Sequence, residues 1–382
     1  MKIALLSEKY TPDIGGLAIS TERFARLLSS AGYETRVFAP TLNLPPSEMR
    51  TLIHNGVSVT RFGAHKRVDD TLVDWLDLVV KEHRRQQFNV LHAYFLNQAG
   101  FIATYAGKYL NIPSVVSIRG NDIEHAAFDP SKFSQVMYAL QNAGAVTTNA
   151  SELVNKATAF FDREIFLIPN AVDAEHFKPM VRNEILADAL GLNKQKEERN
   201  LVMGFVGELR EKKGLRSLLT AYAQINKILG ASLLIIGEVR AGEDKKTFDE
   251  LVQANPAAKV VVTGYISPTD LPAYYSLIDV FVQPSRHDGM PNALLEAMAC
   301  EKAVIATPVG GMLDVVKDGE NGIFVPVDDA EALAKAIHEV LSNVELRSRL
   351  GKAARQTVID SFPLQKELNG NLDLYQKLGL NP

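Results

Sequence analysis

Short apolar runs recur along this chain at nearly regular intervals, each followed by a polar turn and then by a stretch with the spacing of an amphipathic helix. Uninterrupted apolar runs of this length suit strands buried on both faces, so the rhythm predicts parallel sheets covered by helices. In the first half it predicts strands at 3–7, 35–39, 57–62, 89–93, 114–118, 145–148 and 165–168, with amphipathic helices such as 20–31 and 72–86 between them. The alternation stops at 193–200, NKQKEERN, which has no apolar face to bury and reads as a surface loop near a domain boundary. It restarts with runs at 201–206, 232–236, 259–263, 280–283, 303–306 and 323–325. Two successive α/β units are predicted, each a doubly wound parallel sheet. Helical spacing fills the chain from 329 onward, with Ser361-Phe362-Pro363 as the predicted break between the last two helices.

Composition narrows the function. With 382 residues, 46% of them hydrophobic and 23% charged, the chain can bury a core in about two or three domains. Disordered and disulfide-scaffold classes are excluded. Lys and Arg number 41 against 45 Asp and Glu, a net charge of -4, and neither half is polarised, which argues against a nucleic-acid binder. A single cysteine, Cys300, offers no partner within the chain and no zinc site, as expected of a cytoplasmic protein. No uncharged apolar run approaches the roughly 18 to 20 residues of a membrane span, and the first ten residues do not form an export signal.

Doubly wound sheets bind ligands at the carboxyl ends of their strands, so two facing sheets are expected to place the site between the domains. The richest loop is PSRHDGMPNALLEAMAC, residues 284–300, which follows a strand and opens a helix. Pro291 suits the first helical position, and the amides of Asn292, Ala293 and Leu294 then leave the helix start together with the positive end of its dipole, a site for phosphate. Gly289 lets a ligand approach the backbone. Beside a diphosphate the Glu296 carboxylate would be repelled, so its partner would be a vicinal diol such as a ribose; a solvated helix residue is the alternative. A second loop, GELREKKG at 207–214, brings Arg210, Lys212 and Lys213 to the mouth of the same sheet, where they either neutralise a departing diphosphate or are surface cations.

Gly15-Gly16 permit a tight turn after the first strand, but the G-x-G-x-x-G fingerprint is absent, which disfavours NAD and FAD. Neither an Asp-x-Asp pair nor HExxH occurs, so a departing diphosphate has to be stabilised by protein cations and amides without a metal. The lack of G-x-S-x-G and Walker A patterns argues against serine hydrolases and P-loop phosphotransferases.

Together these loops resemble the retaining glycosyltransferases of family 4, which have the GT-B fold, and the resemblance runs over nearly the whole chain. It is carried by Asp288 to Glu296, similar to the family's E-x7-E segment, and by AVIATPVGG at 303–311, DGENGIFVPVDD at 318–329, IPNAVDAEHF at 168–177 and Gly15-Gly16. The resemblance implies an acceptor domain at 1–177, a nucleotide-sugar domain at 178–360, and a last segment, 361–382, returning to the first domain. In this likeness Glu296 would bind the ribose, and the backbone of Gly289, Met290, Pro291, Asn292, Ala293 and Leu294 would hold the sugar and diphosphate. Asp288 would face the sugar hydroxyls, Tyr265 would meet the base, and Gly15 and Gly16 would approach the phosphate from the other domain.

Three positions depart from the family pattern. Asp288 stands where Glu is usual. Glu208 takes the usual arginine position, so the phosphate role passes to Arg210 with Lys213. Arg119, in SIRGND, replaces a histidine; being always protonated it cannot act as a base, and it either contacts a substrate oxygen or forms an ion pair with Asp122 or Glu124. His92 aligns with a structural histidine. Arg119, Arg210, Lys213 and Asp288 are therefore the catalytic candidates. The resemblance implies retaining transfer of a hexose, glucose first, from a UDP-sugar to a carbohydrate or lipid-linked acceptor in cell-surface polysaccharide or glycolipid synthesis, with no metal or further cofactor. It leaves peripheral contact with the cytoplasmic membrane face open, although Arg84-Arg85 and Lys66-Arg67 do not make the first half net basic. A sugar-nucleotide epimerase and a catalytically silent partner subunit remain the alternatives.

Overall fold

The structure, a computed structural model, describes residues 1–193 and 200–381. Most of the polar loop expected at 193–200 therefore lies outside the described residues. The chain forms two compact units, one of Met1–Asn170 with Leu364–Pro382 and one of Ala171–Pro363. The changeovers fall at Asn170/Ala171 and Pro363/Leu364, upstream and downstream respectively of the boundaries drawn from the resemblance.

In the first unit, β1 (Lys2–Ser7), β2 (Glu34–Pro46), β3 (Met49–His54), β4 (Val57–Gly63), β5 (Val90–Tyr94), β6 (Ser114–Ile118), β7 (Ala145–Thr148) and β8 (Ile165–Leu167) form one sheet in the order β3-β4-β2-β1-β5-β6-β7-β8. Every pairing is parallel except that of β3 with β4. In the second unit, β9 (Val202–Val206), β10 (Ser232–Ile236), β11 (Val260–Val262), β12 (Val280–Gln283), β13 (Ala303–Ala306) and β14 (Ile323–Phe324) are parallel throughout, in the order β11-β10-β9-β12-β13-β14. Both units are doubly wound α/β sheets, as the alternation of runs predicted. The strand order reverses between β1 and β5 and between β9 and β12, and loops leaving such a switch point diverge and leave room for a ligand.

Helices cover both faces because the strands are apolar on both sides. On one face of the first sheet Trp75, Ala103 and Leu140 pack over Leu91 and Val116; on the other, Phe24, Leu28 and Tyr375 pack over Ile3 and Val37. In the second unit one face is built on Leu294, Met298 and Val358 and the other on Leu218, Tyr222 and Ile337.

The structure adds two features to the sequence reading. β3 was not predicted: its apolar residues, Met49, Leu52 and Ile53, form neither a continuous run nor an alternation, and all three are exposed. The other concerns Pro291, which caps the helix Asn292–Ala299 instead of occupying its first turn. Its extended ψ of 116 takes it out of the helical region, one residue short of the expected place.

Candidate active site

The loops after β9 and β12 leave the second sheet at its switch point, and they are tied together. Gly214, at φ +78, ends the first loop so close to the second that a Cβ there would lie 2.0 Å from the Pro284 carbonyl oxygen. The Arg286 amide donates to Lys212 O at 2.9 Å. Lys213 Nζ makes an ion pair with Asp288 Oδ2, and both side chains are mostly buried. The same carboxylate oxygen accepts from Gln283 Nε2 and Ser285 Oγ, each at 3.4 Å. Behind it stands Gly310, at φ +53, where a Cβ would lie 1.7 Å from Asp288 O, while the Gly311 amide donates to Gly289 O at 2.7 Å. The backbone of 288–289 is thus pressed between Lys213 and the two glycines.

Four residues after Asp288 the helix Asn292–Ala299 begins. Its first intrahelical bond runs from the Leu295 amide to Pro291 O, at 3.5 Å, so the amides of Ala293 and Leu294 precede that bond at the positive end of the dipole. The side chains of Met290, Pro291 and Leu294 are buried in the core, which leaves their backbone as the part a ligand could meet. Glu296 is buried as well. Its Oε2 lies 2.9 Å from the Tyr275 hydroxyl, whose single proton is shared between that oxygen and Ala293 O at 3.1 Å. Burial first, then the Glu296 charge, holds the Tyr275 hydroxyl well above its ordinary range, so it stays a donor.

Arg210 is not drawn to Asp288. Its Nη1 lies 3.5 Å from Glu208, whose other oxygen is 3.7 Å from Arg240, so Glu208 sits between two arginines. Among the described residues, the buried Arg210 Nε has no hydrogen-bond partner. Tyr265 is 52% exposed on the loop after β11, the edge strand of the second sheet.

The first unit carries the remaining candidates. Gly15 caps the helix Gly16–Ser30 at φ +130, and a Cβ at either Gly15 or Gly16 would meet open space. Arg119 follows β6 and forms neither of the ion pairs weighed for it. Its guanidinium lies over the Tyr94 ring, 3.8 Å from the centroid, and Nη1 donates to Asn170 Oδ1 at 2.7 Å, while the buried Nε has no hydrogen-bond partner among the described residues. Asp122 instead accepts from the backbone amides of Leu96, Arg119, Gly120 and Ile123, and Glu124 pairs with Lys156. His92 is enclosed between Tyr375 Oη at 2.7 Å and Ser117 Oγ at 2.8 Å, and burial lowers its pKa to about 3, so it is a neutral structural link.

Sequence reasoning missed Tyr275, Gln283, Ser285 and the glycine pair Gly310-Gly311 as parts of this site. Gly310 and Gly311 stood in a quoted motif, but only the fold shows what they lean on.

Residues 192–357 match the family described as glycosyl transferases group 1, and residues 14–176 match glycosyltransferase family 4. The chain belongs to these glycosyltransferases. The chain is similar to an uncharacterised glycosyltransferase of Methanocaldococcus jannaschii, 24% identical over 99% of both chains. It is also similar to the alpha-monoglucosyldiacylglycerol synthase of Acholeplasma laidlawii, 25% identical over 96% of this chain and 94% of that one. A GDP-mannose-dependent alpha-mannosyltransferase of Mycolicibacterium smegmatis is 26% identical over 94% and 93%. Among solved structures, the sucrose-phosphate synthase of Thermosynechococcus elongatus superposes with a TM-score of 0.82 at 22% identity, covering 99% and 98% of the two chains. Anabaena HepE, in complex with UDP-glucose, gives 0.82 at 18% identity over 98% and 100%. The glycosyltransferase therefore has the GT-B fold and is a hexosyltransferase. Among its described residues, no helix is long and apolar enough to cross a membrane.

Proposed function

We propose that this glycosyltransferase moves a hexose, glucose first, from a UDP-sugar to an acceptor hydroxyl with retention and without a metal ion, in polysaccharide or glycolipid synthesis. The observation that carries the reading is the placement of Lys213 on Asp288, four residues before a helix start, beside Arg210, whose buried Nε has no hydrogen-bond partner among the described residues. This set of donors suits a pyrophosphate, and Glu296 with Tyr275 behind it suits a ribose diol. The likenesses to HepE bound to UDP-glucose and to the monoglucosyldiacylglycerol synthase support glucose and a lipid acceptor; the mannosyltransferase likeness makes GDP-mannose the donor to test against them.

In this mechanism the bond between the anomeric carbon and the phosphate oxygen breaks as the acceptor oxygen adds from the same face. Positive charge gathers on the sugar ring and negative charge on the diphosphate. Arg210, Lys213 and the helix amides stabilise the latter, and the departing phosphate oxygen takes the acceptor's proton. Arg119, unable to accept a proton, holds a substrate oxygen on the acceptor side.

The test is donor consumption with UDP-glucose, UDP-N-acetylglucosamine, UDP-galactose and GDP-mannose, with and without a chelator. Arg210→Ala and Lys213→Ala should each raise the barrier by about 2 to 4 kcal/mol, as loss of an oxyanion donor does. Wild-type turnover in both variants sinks the assignment. Preference for GDP-mannose sinks the donor, and release of an epimerised nucleotide sugar favours an epimerase.

A further inference from the structure

Arg286 has no part in the reading above, yet it ties its own loop to two other segments of the second unit. Its Nε lies 2.7 Å from Asp328 Oδ1 and its Nη2 2.8 Å from Glu211 Oε1. Its own amide donates to Lys212 O. One residue, two before Asp288, thus grips the loop after β9 by side chain and by backbone, and braces it on the segment that follows β14. A single exposed ion pair contributes little, but a planar guanidinium held by two carboxylates, with a backbone bond beside it, is the geometry in which such pairs act. The loop needs a brace. Its turn at Glu211–Lys213 has no side-chain cap. Besides the Lys213–Asp288 pair and the Arg210–Glu208 contact, Asp244 accepts from the Glu211 amide at 2.9 Å and Arg216 lies 3.6 Å from the Glu211 carboxylate.

We propose that Arg286 is a positioning residue for the diphosphate: it fixes the height of the Glu211–Lys213 turn and so sets Lys213 and Arg210 where a pyrophosphate meets them. The proposal rests on the diphosphate reading of this loop. It acts through occupancy. A loop that holds its binding position only a fraction of the time weakens apparent affinity by that fraction, so loss of the brace should weaken binding by about tenfold if the position is kept one-tenth of the time.

Calorimetric titration with UDP tests this on the full-length wild type, Arg286→Ala, Arg210→Ala/Lys213→Ala, and all three substitutions combined. Arg286→Ala should weaken UDP binding by about tenfold on its own and by less than twofold where Arg210 and Lys213 are already gone, since it acts only through them. Arg286→Lys, which keeps one ion pair, should fall between. Asp328→Asn should weaken binding in the same direction, and it carries the test together with Arg286→Lys should Arg286→Ala fail to fold by circular dichroism. Wild-type affinity in Arg286→Ala, or an equal loss in both backgrounds, overturns the positioning role while leaving the diphosphate site intact. Absence of UDP binding to the wild type overturns the diphosphate reading and this inference with it.

Discussion

Glu8 leaves β1 with a buried carboxyl oxygen, Oε1, that has no hydrogen-bond partner among the described residues. Burial, and then the charge of Asp122, raises its pKa from 4.5 to about 7, against the amides of Gln98 and Ala99 and the charge of Lys132, which lower it. The folded state therefore holds this proton more tightly than the unfolded chain does. Glu8 contributes stability that is full below about 4.5 and is lost as pH rises through about 7. Glu8→Gln should accordingly melt at a higher temperature than the wild type at pH 8, with the advantage gone by pH 5. Thermal melts at the two pH values check it, and an equal shift at both counts against the buried charge. Nothing in the sequence marked Glu8, because its burial comes from the start of the helix Gln98–Leu110, some ninety residues later. Arg119 teaches the same lesson. Its acidic neighbours in sequence suggested an ion pair, but the parallel register of β5 and β6 sets Tyr94 opposite Ser117 and so brings the aromatic ring under the guanidinium.

At the scale of elements, the helix Asn292–Ala299 depends on the short helix Leu271–Tyr275, whose last residue braces both Ala293 O and the Glu296 carboxylate. Tyr275→Phe keeps the ring and removes the donor. It should cost about 1 kcal/mol in UDP affinity, the worth of one hydrogen bond, while the loss with 2′-deoxy-UDP should be smaller if Glu296 reads the ribose diol. Equal losses with both nucleotides would place Glu296 elsewhere. This brace was not legible, since tyrosine and glutamate lie 21 residues apart and only the packing of two helices joins them. The strands were legible to within a residue or two at most ends, because parallel strands covered on both faces must be continuously apolar. β3 was the exception, although a different signal announced it: Asn55-Gly56, at φ 49 and 77, is the two-residue turn that joins it to β4.

At the scale of the molecule, the chain enters its second unit at Ala171 and returns to the first at Leu364, and the break predicted at Ser361-Phe362-Pro363 lies at that return. There the Val172 amide donates to Phe362 O at 3.0 Å, so outgoing and returning strands of chain are paired. The final helix, Leu364–Lys377, buries Leu368, Leu374 and Tyr375 in the first unit's core, where Tyr375 meets His92. Its Glu367 meets Arg23 with both oxygens, Oε2 at 2.9 Å from Nε and Oε1 at 3.1 Å from Nη2, and both side chains are buried. Deleting one member of such a pair is far costlier than never having built it, because the remaining charge stays in the core; about 3 kcal/mol is the usual order. Glu367→Ala should therefore lower the melting of the first unit and leave the second alone. UDP provides the means to tell them apart, since a ligand raises the melting of the unit that binds it. In scanning calorimetry the transition that UDP does not protect should move down in Glu367→Ala, while the protected one stays in place. A shift confined to the protected transition would mean that the last helix stabilises the nucleotide-binding unit instead, contrary to the packing of Tyr375 on His92.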